Sequence, residues 1–110
     1  MDAQLKRGLT EACVLALLSA GDSYGYKLAK DTKALITLSE STLYPVLKRL
    51  QEAGSVDTYS VEHGGRLRRY YRVTPSGRRQ MSAFLKEWEA LNKVYTYIKQ
   101  MHASHQGEEA

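Results

Sequence analysis

Apolar residues recur at helical spacing through three early segments and again, more regularly, near the end of the chain. Over about residues 2–20, Leu5, Leu9, Ala12, Cys13, Ala16 and Leu17 form one helical stripe, widened by Val14, Leu15 and Leu18. So wide an apolar surface implies packing on two sides, the core of the domain and a partner chain. Gly21-Asp22 ends this helix. Ser23 is a suitable N-cap for a second helix reaching about residue 34. Tyr24, Leu28 and Leu35 would face inward there, and Lys27, Lys30 and Lys33 outward. A third helix begins at Ser39 or Ser41, with Leu43, Val46, Leu47 and Leu50 on one side and Ser41, Tyr44, Pro45 and Lys48 on the other. Pro45 lies near the first turn, where its missing N–H costs little. Gly54 supplies the stop.

The period then changes from helix to strand. Residues 56–61 and 68–73 read as two strands joined through Glu62-His63-Gly64-Gly65-Arg66-Leu67. Alternation puts Arg69, Tyr71 and Val73 on one face and Arg68, Tyr70 and Arg72 on the other. Thr74-Pro75 opens a fourth helix, threonine as N-cap and proline at the first helical position. Along it, Met81, Phe84, Trp88, Leu91, Tyr95, Ile98 and His102 follow spacings of three and four, the a/d repeat of a coiled coil. A helix of roughly 28 residues is about 40 Å long, more than a small domain can cover, so its stripe must bury against a second copy of the chain.

These elements predict a mainly α fold with a small β-hairpin: a winged helix-turn-helix plus a long C-terminal helix. The expected organisation is a winged helix-turn-helix domain over residues 1–74, a dimerisation helix over 75–103 and a disordered tail over 104–110. A short helix with a polar, partly aromatic outer face, followed by a basic hairpin, is an arrangement that holds DNA. The helix enters the major groove and the hairpin reaches the adjacent backbone or minor groove.

Composition narrows the reading. The chain has 110 residues, 25% of them charged, 43% hydrophobic, and a net charge of +4. That is an ordinary globular composition with no run long enough to span a bilayer. A single cysteine, Cys13, forms no internal disulfide and reads as a small core residue. With no signal-like apolar segment at the N-terminus, the cytoplasm is the expected compartment. Charge distribution says more than net charge. Six of the eight arginines, Arg66, Arg68, Arg69, Arg72, Arg78 and Arg79, lie between His63 and Arg79, a stretch without Asp or Glu. Arginine concentrated in one element is the footprint of a phosphate-binding surface; a solvated basic hairpin is the plainer alternative.

Three segments carry a resemblance. Tyr24-Gly25-Tyr26, then Ser41-Thr42-Leu43-Tyr44-Pro45-Val46-Leu47-Lys48-Arg49-Leu50, then Gly64-Gly65-Arg66-Leu67-Arg68-Arg69-Tyr70-Tyr71, in that order, resemble the PadR family of bacterial transcriptional regulators. The resemblance extends from about residue 5 to residue 91. The short final region is similar to the compact subfamily with a single C-terminal helix. Ser41 stands where the family often has glycine, and Leu67 where it often has proline. The resemblance implies a homodimeric DNA-binding repressor on a pseudo-palindromic operator, commonly released by a small molecule or a stress signal.

The residues expected at DNA are Tyr24, Tyr26, Lys27, Ser41, Thr42, Tyr44, Pro45, Lys48, Arg49, Gly64, Gly65, Arg66, Arg68 and Tyr70. Ser41, Thr42, Tyr44 and Lys48 are the candidates for reading base edges, and Arg66 and Arg68 for phosphates or a narrow minor groove. Tyr71 is expected in the core and Tyr70 at the DNA backbone. Phe84, Trp88, Leu91 and Tyr95 mark the dimer seam. Trp88 reads first as an interface anchor and second as a platform on which two symmetry-related indoles sandwich a flat aromatic effector. His102 and His105 have ligand-like spacing but no Cys or carboxylate beside them, so neither a metal nor a cofactor is expected. No nucleophile elbow, phosphate-binding glycine loop or pair of carboxylates in an apolar setting points to an enzyme. The rival reading is a winged-helix module that binds protein and not DNA.

Overall fold

The computed structural model describes residues 3–36 and 40–109, with the backbone alone for Glu40, Ser41 and residues 106–109. In chain order the elements are α1 (Ala3–Ala20), β1 (Ser23–Tyr24), α2 (Gly25–Leu35), α3 (Glu40–Glu52), β2 (Val56–His63), β3 (Arg66–Val73) and α4 (Pro75–Glu109). The strands form one antiparallel sheet in the order β1-β3-β2. Three helices on one face of a small sheet, with a hairpin projecting beyond them, make a winged helix-turn-helix.

The core is apolar and drawn from the three helices and from β2 and β3. Val14, Leu15 and Leu18 of α1, Leu28 of α2 and Leu43, Val46, Leu47 and Leu50 of α3 meet Val56, Tyr71 and Val73 of the sheet. The α3 stripe is as the sequence predicts. The α1 face is not. Thr10, Val14, Leu15 and Leu18 are buried, whereas Leu5 and Ala16 are exposed. Both sides of α1 are apolar, so periodicity alone could not choose between them. Thr10 tolerates burial because its hydroxyl donates to the Lys6 carbonyl at 2.6 Å. In α2, Thr32 takes the inward place expected of Leu35, which is 67% exposed, and its hydroxyl is satisfied by the Leu28 carbonyl.

The strand β1 replaces the helix cap expected at Ser23. Ser23 pairs with Tyr71 and Tyr24 with Tyr70, and Tyr24 enters α2 from an extended conformation without a side-chain cap. The hairpin is longer than expected. Its ladder runs from Val56↔Val73 out to His63↔Arg66, and only Gly64 and Gly65 make the turn. Their φ values of 59° and 80° suit a type I′ connection, which needs two positive φ angles in succession. Helix α3 begins at Glu40, so a cap at Ser39 lies outside the described residues. It ends in a Schellman motif. Gly54 has φ 78°, its N–H bonds the Gln51 carbonyl at 3.0 Å, and the Ser55 N–H bonds the Leu50 carbonyl at 2.8 Å.

Thr74 caps α4 as the sequence predicts, accepting from the Gly77 N–H at 3.1 Å, while its own hydroxyl donates to the Gly54 carbonyl at 2.6 Å. Helix α4 runs to Glu109, past the boundary expected at residue 103. No proline interrupts it, and adding a residue to a formed helix fixes little more chain than the bond it gains. The helix carries the molecule to 68 × 26 × 22 Å with a radius of gyration of 18.1 Å, against about 13 Å for a compact chain of this size.

Candidate nucleic-acid interface

Helix α3 turns its polar side to solvent because its leucines and valine are committed to the core. Thr42, Tyr44, Pro45 and Lys48 are exposed together on that side. Ser41 lies in the first turn, with its side chain outside the described residues. Tyr44 leans over the start of α2. A Cβ at Gly25 would stand 3.2 Å from the Tyr44 ring and hydroxyl, so glycine gives the aromatic its place. Tyr26, 71% exposed, and Lys27 extend the same surface from the first turn of α2.

Arg49 departs from this set. Its Nε donates to Glu11 Oε1 of α1 at 3.3 Å, and Nη2 is buried with no partner among the described residues. The guanidinium holds α3 to α1, and the Arg49 side chain, 39% exposed, lines one cleft with Thr42 and Pro45. Glu11 Oε2 also accepts from Gln80 Nε2 of α4 at 3.3 Å, and Gln80 Oε1 accepts from Ser55 Oγ at 2.5 Å. One polar chain thus ties three helices together behind α3.

The wing carries Gly64, Gly65, Arg66 and Leu67 at its exposed tip. Below the tip, the side chains bind one another. Arg68 sits over the Tyr24 ring with Cζ 4.1 Å from its centroid. Tyr70 meets Tyr24 edge-on at 5.6 Å and stacks on Tyr59 at 5.6 Å with 11° between planes. Tyr70, expected at the DNA backbone, is therefore half-buried between two rings. Tyr59 donates to Asp22 Oδ2 at 2.6 Å, a bond that pushes its hydroxyl above the ordinary tyrosine pKa. Arg72 also lies over the Tyr59 ring, with Cζ 5.3 Å from its centroid, and 3.9 Å from Asp57. On the opposite face, Arg69 donates to Gln51 Oε1 at the end of α3 at 2.9 Å. Of the six clustered arginines, Arg68 is half-buried and the other five are exposed; Arg68, Arg69 and Arg72 each lie against an aromatic ring.

The sequence matches the transcriptional regulator PadR-like family over residues 14–83. The chain belongs to the PadR-like family. Several solved structures share its fold. A Streptococcus mutans UA159 protein is 40% identical with a TM-score of 0.77, over 86% of this chain and 89% of that one. A transcriptional regulator from Clostridium thermocellum is 34% identical with a TM-score of 0.78, over 88% and 96%. The Bacillus subtilis PadR structure in complex with operator DNA is 24% identical with a TM-score of 0.65, over 70% of this chain and 46% of that one.

In this PadR-like chain, Phe84 and Trp88 are half-buried where α4 leaves the domain, with ring centroids 5.8 Å apart. Leu91 and Tyr95 are 55% and 59% exposed. No helix among the described residues is long and apolar enough to cross a membrane. Burial pushes the Cys13 thiol up, which keeps it in the unreactive protonated form. Sequence reasoning missed Tyr59 and Asp22, and the place of Arg72 beside them, because their grouping depends on strand register, and it missed β1, which is too short to show alternation.

Proposed function

We propose that this PadR-like regulator is a homodimeric repressor that binds a pseudo-palindromic operator through α3 and the wing. The observation that carries the reading is the exposure of Thr42, Tyr44, Pro45 and Lys48 on one side of α3, beside a glycine-tipped hairpin that presents Arg66. The operator complex of Bacillus subtilis PadR supports DNA as the ligand of this fold.

Dimerisation rests on α4. At 100° per residue, Leu91, Tyr95, Ile98 and His102 occupy about 60° of its circumference, and Val94, Tyr97 and Met101 widen the apolar arc to about 160°. A two-helix seam uses only the narrow a/d strip. The partner's α4 covers that strip, and the outward residues of the partner's α1, such as Leu9, Ala12 and Ala16, cover the flank. Crossing of the two α4 helices then sets the separation of the two α3 helices, which must match about one DNA turn or a multiple of it. A flat aromatic effector near Phe84 and Trp88 would alter that crossing, and it weakens DNA binding only by its preference for one arrangement over the other. The expected site of action is the cytoplasm.

The test is a binding series with footprinting on the DNA upstream of the protein's own gene. Two protomers placing Lys27, Lys48, Arg66 and Arg68 on phosphates neutralise roughly six to eight charges, so log affinity should fall with log salt at a slope of about −5 to −7. Protection of two half-sites is expected. A slope near zero, or no discrimination between this DNA and random duplex, would refute the reading.

A further inference from the structure

Below the tip, the hairpin's outer face holds a contiguous row in which Tyr59, not among the residues expected at DNA, joins Tyr70, Tyr24 and Arg68. Strand β1 supports β3 only as far as Tyr24↔Tyr70. Past that pair the hairpin is a two-stranded ribbon, and such a ribbon holds its own geometry poorly. The row lies at this boundary. Tyr59, Tyr70 and Tyr24 come one from each strand, and register places each beside the next. The free end of Tyr59 is tied by its hydroxyl to Asp22, in the connection between α1 and β1. At the other end the Tyr24 ring carries the Arg68 guanidinium.

We propose that Tyr59 is a positioning residue for DNA binding: through Tyr70 and Tyr24 it holds Arg68 in the place from which that arginine engages a phosphate. The inference rests on the DNA reading given above. A guanidinium stacked on a ring uses its flat face, and its N–H groups radiate in the plane of the fork, away from the ring. Arg68 can therefore keep its contact with Tyr24 and still donate to a phosphate. An arginine already held in one arrangement loses less side-chain freedom on binding than one that must be ordered by the DNA. Arg66, nearer the tip, is not part of the row. Arg68 is thus the wing's fixed contact and Arg66 its adaptable one.

The experiment compares the full chain with Tyr59→Ala and Tyr59→Phe. Three quantities are read: affinity for a random-sequence duplex at low salt, the salt slope, and the order of the Arg68 side chain from NMR relaxation of its Nε–H in the unbound protein. Tyr59→Ala should weaken binding about three- to tenfold for each protomer engaged, the range expected from freeing one rotamer-rich side chain. Its salt slope should not change, because every charge is still present, and Arg68 should become mobile. Tyr59→Phe keeps the stack and should restore affinity and Arg68 order. A thermal melt of each variant separates these effects from partial unfolding. Should Tyr59→Ala leave both affinity and Arg68 order at their original values, the proposal is overturned; equal losses in Tyr59→Phe and Tyr59→Ala would overturn it as well, by assigning the role to the Asp22 bond. If the unmodified protein binds no duplex at all, the DNA reading falls first. The relaxation of Arg68 then still decides whether the row holds it.

Discussion

Gly77 shows how much one residue can fix. It is fully enclosed where α4 passes the end of α3, and a Cβ there would fall on the Ser55 carbonyl oxygen and within 2.9 Å of Val73 Cγ2. That oxygen already accepts from the Thr74 N–H at 3.1 Å, so it has no room to retreat. Gly77→Ala should therefore destabilise the fold by about 1–3 kcal/mol, the usual result of overpacking, despite alanine's better helix propensity. A denaturant melt checks it, and a more stable variant would show that the junction yields. On the DNA side, residues of different chemistry should fail in different ways. Arg66→Ala should weaken binding to all sequences alike and flatten the salt slope by about one to two for the dimer. Tyr44→Ala should instead blur the preference for one operator. Equal loss of specificity from both changes would remove the division between wing and helix.

The elements differ in how clearly their residues announce them. Helix α3 was legible because its apolar stripe and polar side are distinct, and the Thr74-Pro75 start of α4 because both residues have a local physical role. The buried side of α1 was not, since apolar residues surround that helix. Arg49 looked like Lys48 because its partner Glu11 is 38 positions away in sequence, a pairing no local pattern displays. Tyr59 was invisible for a related reason: its neighbour depends on which rung of the ladder faces it. The uncovered stripe of α4 was legible from spacing alone, and its mechanical consequence is direct. Trp88→Glu with Leu91→Glu should convert a dimer to monomers in sedimentation at micromolar concentration, since aromatic anchors at an interface are commonly worth about 2 kcal/mol or more each. Operator affinity should fall with it. An unmodified protein that sediments as a monomer would end the argument for the seam.

At the scale of the molecule, the domain is stapled together at its back and open at its front. Glu11, Arg49, Gln80 and Ser55 join α1, α3 and α4 through side-chain hydrogen bonds. The long uncovered half of α4 has a further consequence, for mass action. Leu91, Val94, Tyr95, Tyr97, Ile98 and Met101 are each at least 41% exposed in a single chain. A helix with its apolar arc in water gains nothing from packing, and propensity alone sustains such a segment poorly. Association in the proposed dimer would supply the missing burial, and the folded state would then be stabilised in proportion to the logarithm of protein concentration. The midpoint of thermal unfolding should climb as the sample is concentrated, and a midpoint independent of concentration would contradict it. If the proposed dimer forms, a regulator built this way would measure its own abundance: when dilute it would be loosened and open to proteolysis, and only an accumulated pool would become a durable one.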